Sequence, residues 1–257
     1  HYDDENFDKD RDTLLASLEG HGIGTVINIG ASLAGSEDTV KLAGQYPFIY
    51  GAVGVHPGEV EELTEEGIAR LHSLCGHEKV VAVGEIGLDY HYPEPAVSVQ
   101  KKWFERQLEL AREVKLPVII HSREAAKDTL DIMQAYHAGE IGGVVHCFSY
   151  TKEMAREYLE MDYYFGIGGV ITFKNAKKLK EAVQYIPMDR ILLETDSPYL
   201  SPEPHRGERN SSLNLPYVAE AISELKGISY EEVVESTERN ARRLFGLENR
   251  EEKTIHG

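Results

Sequence analysis

Cysteine is nearly absent from this chain of 257 residues: there are two, Cys75 and Cys147. They form no CxxC pair, which argues against a zinc ribbon or a disulfide framework and fits a reducing, cytoplasmic setting. Long apolar runs are also lacking. None approaches the roughly 18 residues of a membrane span, so no membrane partner is expected. Positive charge is scarce, with 27 Lys and Arg against 44 Asp and Glu and a net charge of −17. That balance argues against a broad basic surface, because holding nucleic acid that way relies on Lys and Arg neutralising phosphates. An anionic substrate would need local cations or metal ions. Much of the acid, as at 59–66 and 248–252, reads as solvated surface. No low-complexity tract or linker divides the chain, so one domain over 1–257 is expected.

What is present is a repeated unit. Strand-like runs alternate with helix-like stretches: TVINIG (25–30), FIYGAVGVHP (48–57), VVAVGEIGLDY (80–90), PVIIHSR (117–123), GGVVHCFS (142–149), YYFGIGG (163–169) and ILLETDSP (191–198). Helical patterns fall at 8–19, 36–45, 64–75, 97–114, 124–137, 151–160, 175–184, 216–226 and 230–245. Alternation of this kind implies a parallel sheet. The helix at 8–19 calls for a strand ahead of it that ends at His1, which makes eight. The expected fold is therefore α/β, a single (β/α)8 TIM barrel whose first strand lies largely ahead of His1.

Five of the strands end in a metal-binding or charged side chain: His56, Glu85, His121, His146 and Asp196, joined by His1. A parallel barrel gathers such ends at one mouth. Side chains alternate faces along a strand, so His121 and Arg123 follow Ile119 on one face, His146 follows Val144, and Glu194 shares a face with Asp196. Histidines and carboxylates buried together are costly without partners, and coordination of a cation removes the cost. Imidazole and carboxylate without thiolate suit Zn2+, Mn2+ or Mg2+. Glu85, on the middle strand of the set, can bridge two such ions. A pair about 3.5–4 Å apart suits hydrolysis, of phosphate esters in particular.

The ordered set GVHP (54–57), GEIGLDY (84–90), HSR (121–123), HCFS (146–149), GIGG (166–169) with ITFKNA (171–176), ETDSPYL (194–200), RGERN (206–210) and NARRLFG (240–246) resembles the TatD family of metal-dependent deoxyribonucleases, end to end. The family's opening motif is Asp-Thr-His-x-His, and this chain carries its last position as His1. The resemblance implies two divalent metal ions. His1 and Asp196 would hold one, His121 and His146 the other, and Glu85 both. It implies hydrolysis of DNA phosphodiesters by a metal-activated water, exonucleolytic on single strands, with Asp196 as proton acceptor beside Glu85. A single-stranded DNA partner follows.

Other residues near the mouth carry weaker expectations. His56 and Arg123 are candidates for substrate phosphate, as are Arg206, Arg209 and Asn210 on the loop after the Asp196 strand. Glu194 could orient a ligand histidine or pair with Arg123. His72, His77, His91 and His205 read as surface residues and Cys147 as packing on the helix side. GIGG is no phosphate fingerprint, since it opens no helix in a GxGxxG pattern; it leaves lumen space. The competing readings are an ester or amide hydrolase, such as an aminoacyl-tRNA deacylase, and a metal-binding scaffold without turnover.

Overall fold

The computed structural model describes residues 1–248; most of the acidic run 248–252 therefore lies outside the described residues. Seven strands, β1 Val26–Ile29, β2 Ile49–Val53, β3 Val80–Asp89, β4 Val118–Arg123, β5 Gly143–Val145, β6 Tyr164–Ile167 and β7 Ile191–Leu193, pair in sequence order. Every pairing is parallel. The helices are α1 Arg11–Leu18, α2 Leu33–Gln45, α3 Glu65–Cys75, α4 Val97–Val114, α5 Ala126–Ala135, α6 Lys152–Glu160, α7 Lys177–Tyr185, α8 Leu215–Lys226 and α9 Tyr230–Phe245.

Period-two alternation divides the apolar residues into two layers. Tyr50, Ala52, Ile119, Val144, Tyr164 and Leu192 turn inward and pack with Phe245 and Leu247 from the end of α9. The intervening residues, among them Val53, Val83, Val118, Ile120, Val145 and Phe165, turn outward beneath the helices. This is the layered interior of a curled parallel sheet. β1 and β7 are its edges, and a cavity of about 650 Å³ lies between them. Seven of the eight expected strands thus lie among the described residues. At the β1 edge, His1 and Tyr2 run alongside. Tyr2 N–H donates to Asn28 Oδ1, and His1 Nδ1 lies 2.7 Å from Ile29 O.

The regular strands stop sooner than the sequence pattern predicts. β2 ends three residues before His56, β5 one before His146 and β7 three before Asp196. Left-handed backbone at Cys147 (φ 44°) and Asp196 (φ 57°) turns the chain out of the ladder there. β3 and β4 are the exceptions: the ten-residue β3 carries Glu85 within its span, and β4 carries His121. Gly87 of β3 has φ 147°, and a Cβ there would lie 1.9 Å from His121 O. Only glycine lets β3 and β4 approach so closely beside the two polar side chains.

The closing helix is tied to the sheet by Asn240. Its buried side-chain amide donates to Met188 O (2.9 Å) and Ile191 O (2.8 Å) at the start of β7. Asn240→Ala leaves both carbonyls without this donor and should cost about 1–3 kcal/mol. A melting temperature lowered by about 2–4 °C per kcal/mol is expected for a chain of this size. An unchanged thermal midpoint would contradict the tie.

Candidate metal centre

Glu85 is the centre of the arrangement, with 4% of its surface exposed. Its Oε1 lies 2.6 Å from His121 Nδ1 and 3.6 Å from His146 Nε2; its Oε2 lies 3.9 Å from His1 Nε2. Asp196 Oδ1 completes the ring, 3.4 Å from His146 Nε2 and 3.7 Å from His1 Nε2. The five residues assigned as metal ligands from the sequence therefore converge. His56 joins them, its Nε2 3.9 Å from Glu85 Oε1, and His56, Glu85 and His121 offer ligand atoms within 4.8 Å of one another.

The outward nitrogen of each ring decides what faces inward. His1 Nδ1 is held by the Ile29 carbonyl, which leaves Nε2 toward the two carboxylates. His146 Nδ1 pairs with Glu194 Oε2 at 2.9 Å. His121 Nε2 pairs with Asp89 Oδ2 at 3.1 Å, turning Nδ1 to Glu85. Each of these three rings donates outward and presents an inward nitrogen, the arrangement by which a carboxylate or carbonyl behind the ring orients a coordinating histidine. His56 is different. Its Nδ1 accepts the Gly58 N–H at 3.0 Å. A neutral imidazole with an accepting Nδ1 carries its proton on Nε2, so His56 points a donor at the centre. Burial also pushes its pKa down to about 4, so the ring is neutral at pH 7.

The electrostatics follow from the same contacts. Burial opposes the charge on Glu85, but His146 and His121 hold its carboxyl well below the usual range. Burial likewise opposes protonation of His1 and His121. The Asp196 hydrogen bond and Glu85 charge on the first, and Asp89 and Glu85 on the second, raise both to about 9. Three inward imidazole nitrogens and two carboxylates form a donor set that fits divalent cations without thiolate preference.

Glu194 fills the lumen space that the GIGG segment leaves. Its second oxygen accepts the Cys147 N–H at 3.0 Å. A Cβ on Gly166 would stand 2.0 Å from Glu194 Oε2. The missing side chain makes room for the carboxylate that orients His146, rather than for substrate. Glu194 therefore supports a histidine and does not pair with Arg123, which is exposed, 5.7 Å from the Tyr92 ring centroid.

The substrate residues expected on the loop after β7 are mostly engaged elsewhere. Asn210 is interior, 1% exposed. Its amide donates to Thr195 O and Tyr199 O, and its carbonyl accepts from Ser211 N–H and Asn214 Nδ2. It braces the loop and contributes no rim contact. Arg209 grips Asp10 with two nitrogens at 2.7 and 2.6 Å, donates to Asn6 O and covers the Phe7 ring. An acid-rich chain supplied it with a carboxylate partner. Arg206 lies over Phe173, 4.0 Å from Glu203. His72 and His77 are exposed; His91 pairs with Glu124, and His205 with Glu208. Asp89 was not singled out by the sequence, although its place at an inward strand end beside Glu85 and His121 was a usable signal.

A curled parallel sheet with this donor set at its C-terminal mouth defines a metal-dependent hydrolase of the α/β-barrel class. The chain belongs to the TatD related DNase family, which matches residues 1–246. It is 42% identical over 247 residues to an uncharacterized metal-dependent hydrolase, YabD, of Bacillus subtilis, covering 96% of this chain and 97% of the relative. It is 35% identical over 245 residues to the 3'-5' ssDNA/RNA exonuclease TatD of Cronobacter sakazakii, covering 93% of each. The crystal structure of YJJV, a TatD homologue from Escherichia coli, superimposes with a TM-score of 0.90 at 30% identity, covering 96% of this chain and 95% of that one. No described helix is long and apolar enough to cross a membrane.

Two outcomes test this geometry. Coordinating nitrogens must shed their protons, and two of them hold protons up to about pH 9. Mn2+ binding should therefore release protons and tighten as pH rises from 6 toward 9; calorimetry in buffers of differing ionisation enthalpy checks both, and a pH-independent affinity would refute the protonation scheme. Gly166→Ala should displace Glu194 and weaken Mn2+ binding about 10–100-fold, read by the same titration.

Proposed function

We propose that the chain, as a single barrel, is a phosphodiesterase that cleaves single-stranded DNA from an end. The observation that carries this is the convergence of two carboxylates and three inward-facing histidine nitrogens around Glu85. The Cronobacter relative's exonuclease designation supports the substrate class. Two unpaired cysteines fit a cytoplasmic setting.

His1 and Asp196 would hold one divalent ion, His121 and His146 a second, and Glu85 both. Bound there, the ions supply Lewis acidity and lower the pKa of water. The protein's own groups do the rest. Asp196 lies at the open side of the ring, its carboxyl lowered to about 2: burial opposes this, and the hydrogen bonds of His1 and His146 prevail. An ionised carboxylate in that place is the acceptor for the proton that a water loses on attacking phosphorus. His56 Nε2–H, 3.9 Å from Glu85 Oε1, would donate to a phosphoryl oxygen. Arg123 and Arg206, cations near the mouth, are the candidates for flanking phosphates, and arginine's planar fork suits that task.

Asp196→Asn removes the proton acceptor while retaining a ligand oxygen. It should lower kcat on a single-stranded oligonucleotide by more than about 10²-fold, with Mn2+ content retained. A change confined to KM would reject the assignment. Parallel assays on D-aminoacyl-tRNA decide against the deacylase alternative if only DNA is turned over.

A further inference from the structure

Helix α4 carries two buried glutamines seven residues apart, Gln100 and Gln107, on one face at two helical turns. They are 1% and 0% exposed. Each closes a two-point clamp on the main chain of a single distant residue. Gln107 Oε1 accepts the Val55 N–H at 2.8 Å, and its Nε2 donates to Val55 O at 3.0 Å. Gln100 Oε1 accepts the Asp89 N–H at 2.9 Å, and its Nε2 donates to Asp89 O at 2.8 Å and to Pro95 O at 2.8 Å.

The sheet explains why these clamps exist. β2 ends at Val53, and its last partner on β3 is Val83. β3 runs on to Asp89, paired with β4 alone over its last residues. Val55 and Asp89 therefore each carry a buried N–H and C=O beyond the reach of the β2–β3 ladder. A primary amide offers one acceptor and donors in the geometry of a peptide group, so each glutamine stands in for the neighbouring strand. Buried main-chain groups need such partners.

The clamped residues are the ones that set the site. Val55 precedes His56. Asp89 holds His121 Nε2 with one carboxylate oxygen and accepts the His91 N–H with the other. We propose that Gln100 and Gln107 are positioning residues. Gln100 fixes the Asp89 carboxylate that aims His121 Nδ1 at Glu85, and Gln107 fixes the turn that aims His56 Nε2–H at the same point. Both act through the main chain and touch neither substrate nor cation. The inference rests on the metal-site reading above.

The two halves have separable readouts, neither of which uses turnover. Calorimetric titration of Gln100→Met with Mn2+ should show affinity about 10–100-fold weaker, the usual cost of losing an outer-shell partner. Gln107→Met should bind Mn2+ as the wild type does, because His56 presents a proton and not a lone pair. Its change should appear in the nitrogen-15 histidine spectrum. The wild type shows one His56 tautomer protonated at Nε2; the variant shows a mixture. Wild-type Mn2+ affinity in Gln100→Met and a wild-type His56 spectrum in Gln107→Met, with only the melting temperature lowered, would overturn the proposal and leave the glutamines as fold supports. Should a Met variant be insoluble, the corresponding Gln→Glu variant keeps the acceptor, loses the donor and is judged by the same criteria. Wild-type protein that binds Mn2+ and spares DNA refutes the proposed substrate and leaves the clamps standing.

Discussion

The structure depends on a buried carboxylate, Glu85, with 4% of its surface exposed. An ionised Glu85 in a barrel lumen is tolerable only when surrounded by opposite charge or a cation; His1, His121 and His146 supply the charge, and the neutral His56 stands beside them. Each histidine must in turn be oriented so that the correct nitrogen faces Glu85. That second requirement accounts for features that look unrelated in sequence: the Ile29 carbonyl beside His1, Glu194 beside His146, Asp89 beside His121, and the glycine at 166 without which Glu194 has no room.

Parallel strands make this possible because all their C-terminal ends open at one mouth. The same geometry has a cost. Strands that deliver side chains to a common point must leave the ladder before they reach it, and main-chain groups there lose their sheet partners. Among the described residues, the amides of Gln100 and Gln107 take up two of those positions, and the Asn210 amide holds the loop that follows Asp196. Side-chain amides thus extend the sheet where its own hydrogen bonding ends. The rigid sheet and the convergent site are joined through them.

Much of this could be read from residues. The strand–helix repeat was legible because β-rich runs recur at regular spacing, and the convergence because His121, His146 and Asp196 each extend a row of inward apolar residues. Strand lengths were less legible. Left-handed turns at Cys147 and Asp196 have no residue signature, as neither position is glycine. Gln100 and Gln107 were invisible for a different reason. On a helix, a glutamine reads as a solvated residue, and nothing local shows that its amide faces a strand end 11 or 52 places away. Asn210 misled in the opposite direction: following two arginines it looked like a phosphate contact, whereas the four hydrogen bonds of its side chain are all internal.

Charge distribution completes the account. With 44 acidic residues against 27 basic ones, an arginine on this surface finds a carboxylate nearby more readily than it stays available. Arg209 shows this, held by Asp10 with both terminal nitrogens. Exposed ion pairs of this kind contribute little to stability, but they remove cations from the rim. An anionic substrate approaching the mouth then meets a repulsive outer field, screened beyond about 8–10 Å at ordinary ionic strength. On the proposed function, attraction has to originate within that distance, chiefly from the cations that Glu85, Asp196 and the three inward histidine nitrogens would gather, with Arg123 and Arg206 beside them. The site that performs the chemistry is then also the site that captures the substrate, and loss of any ligand should weaken binding and turnover together.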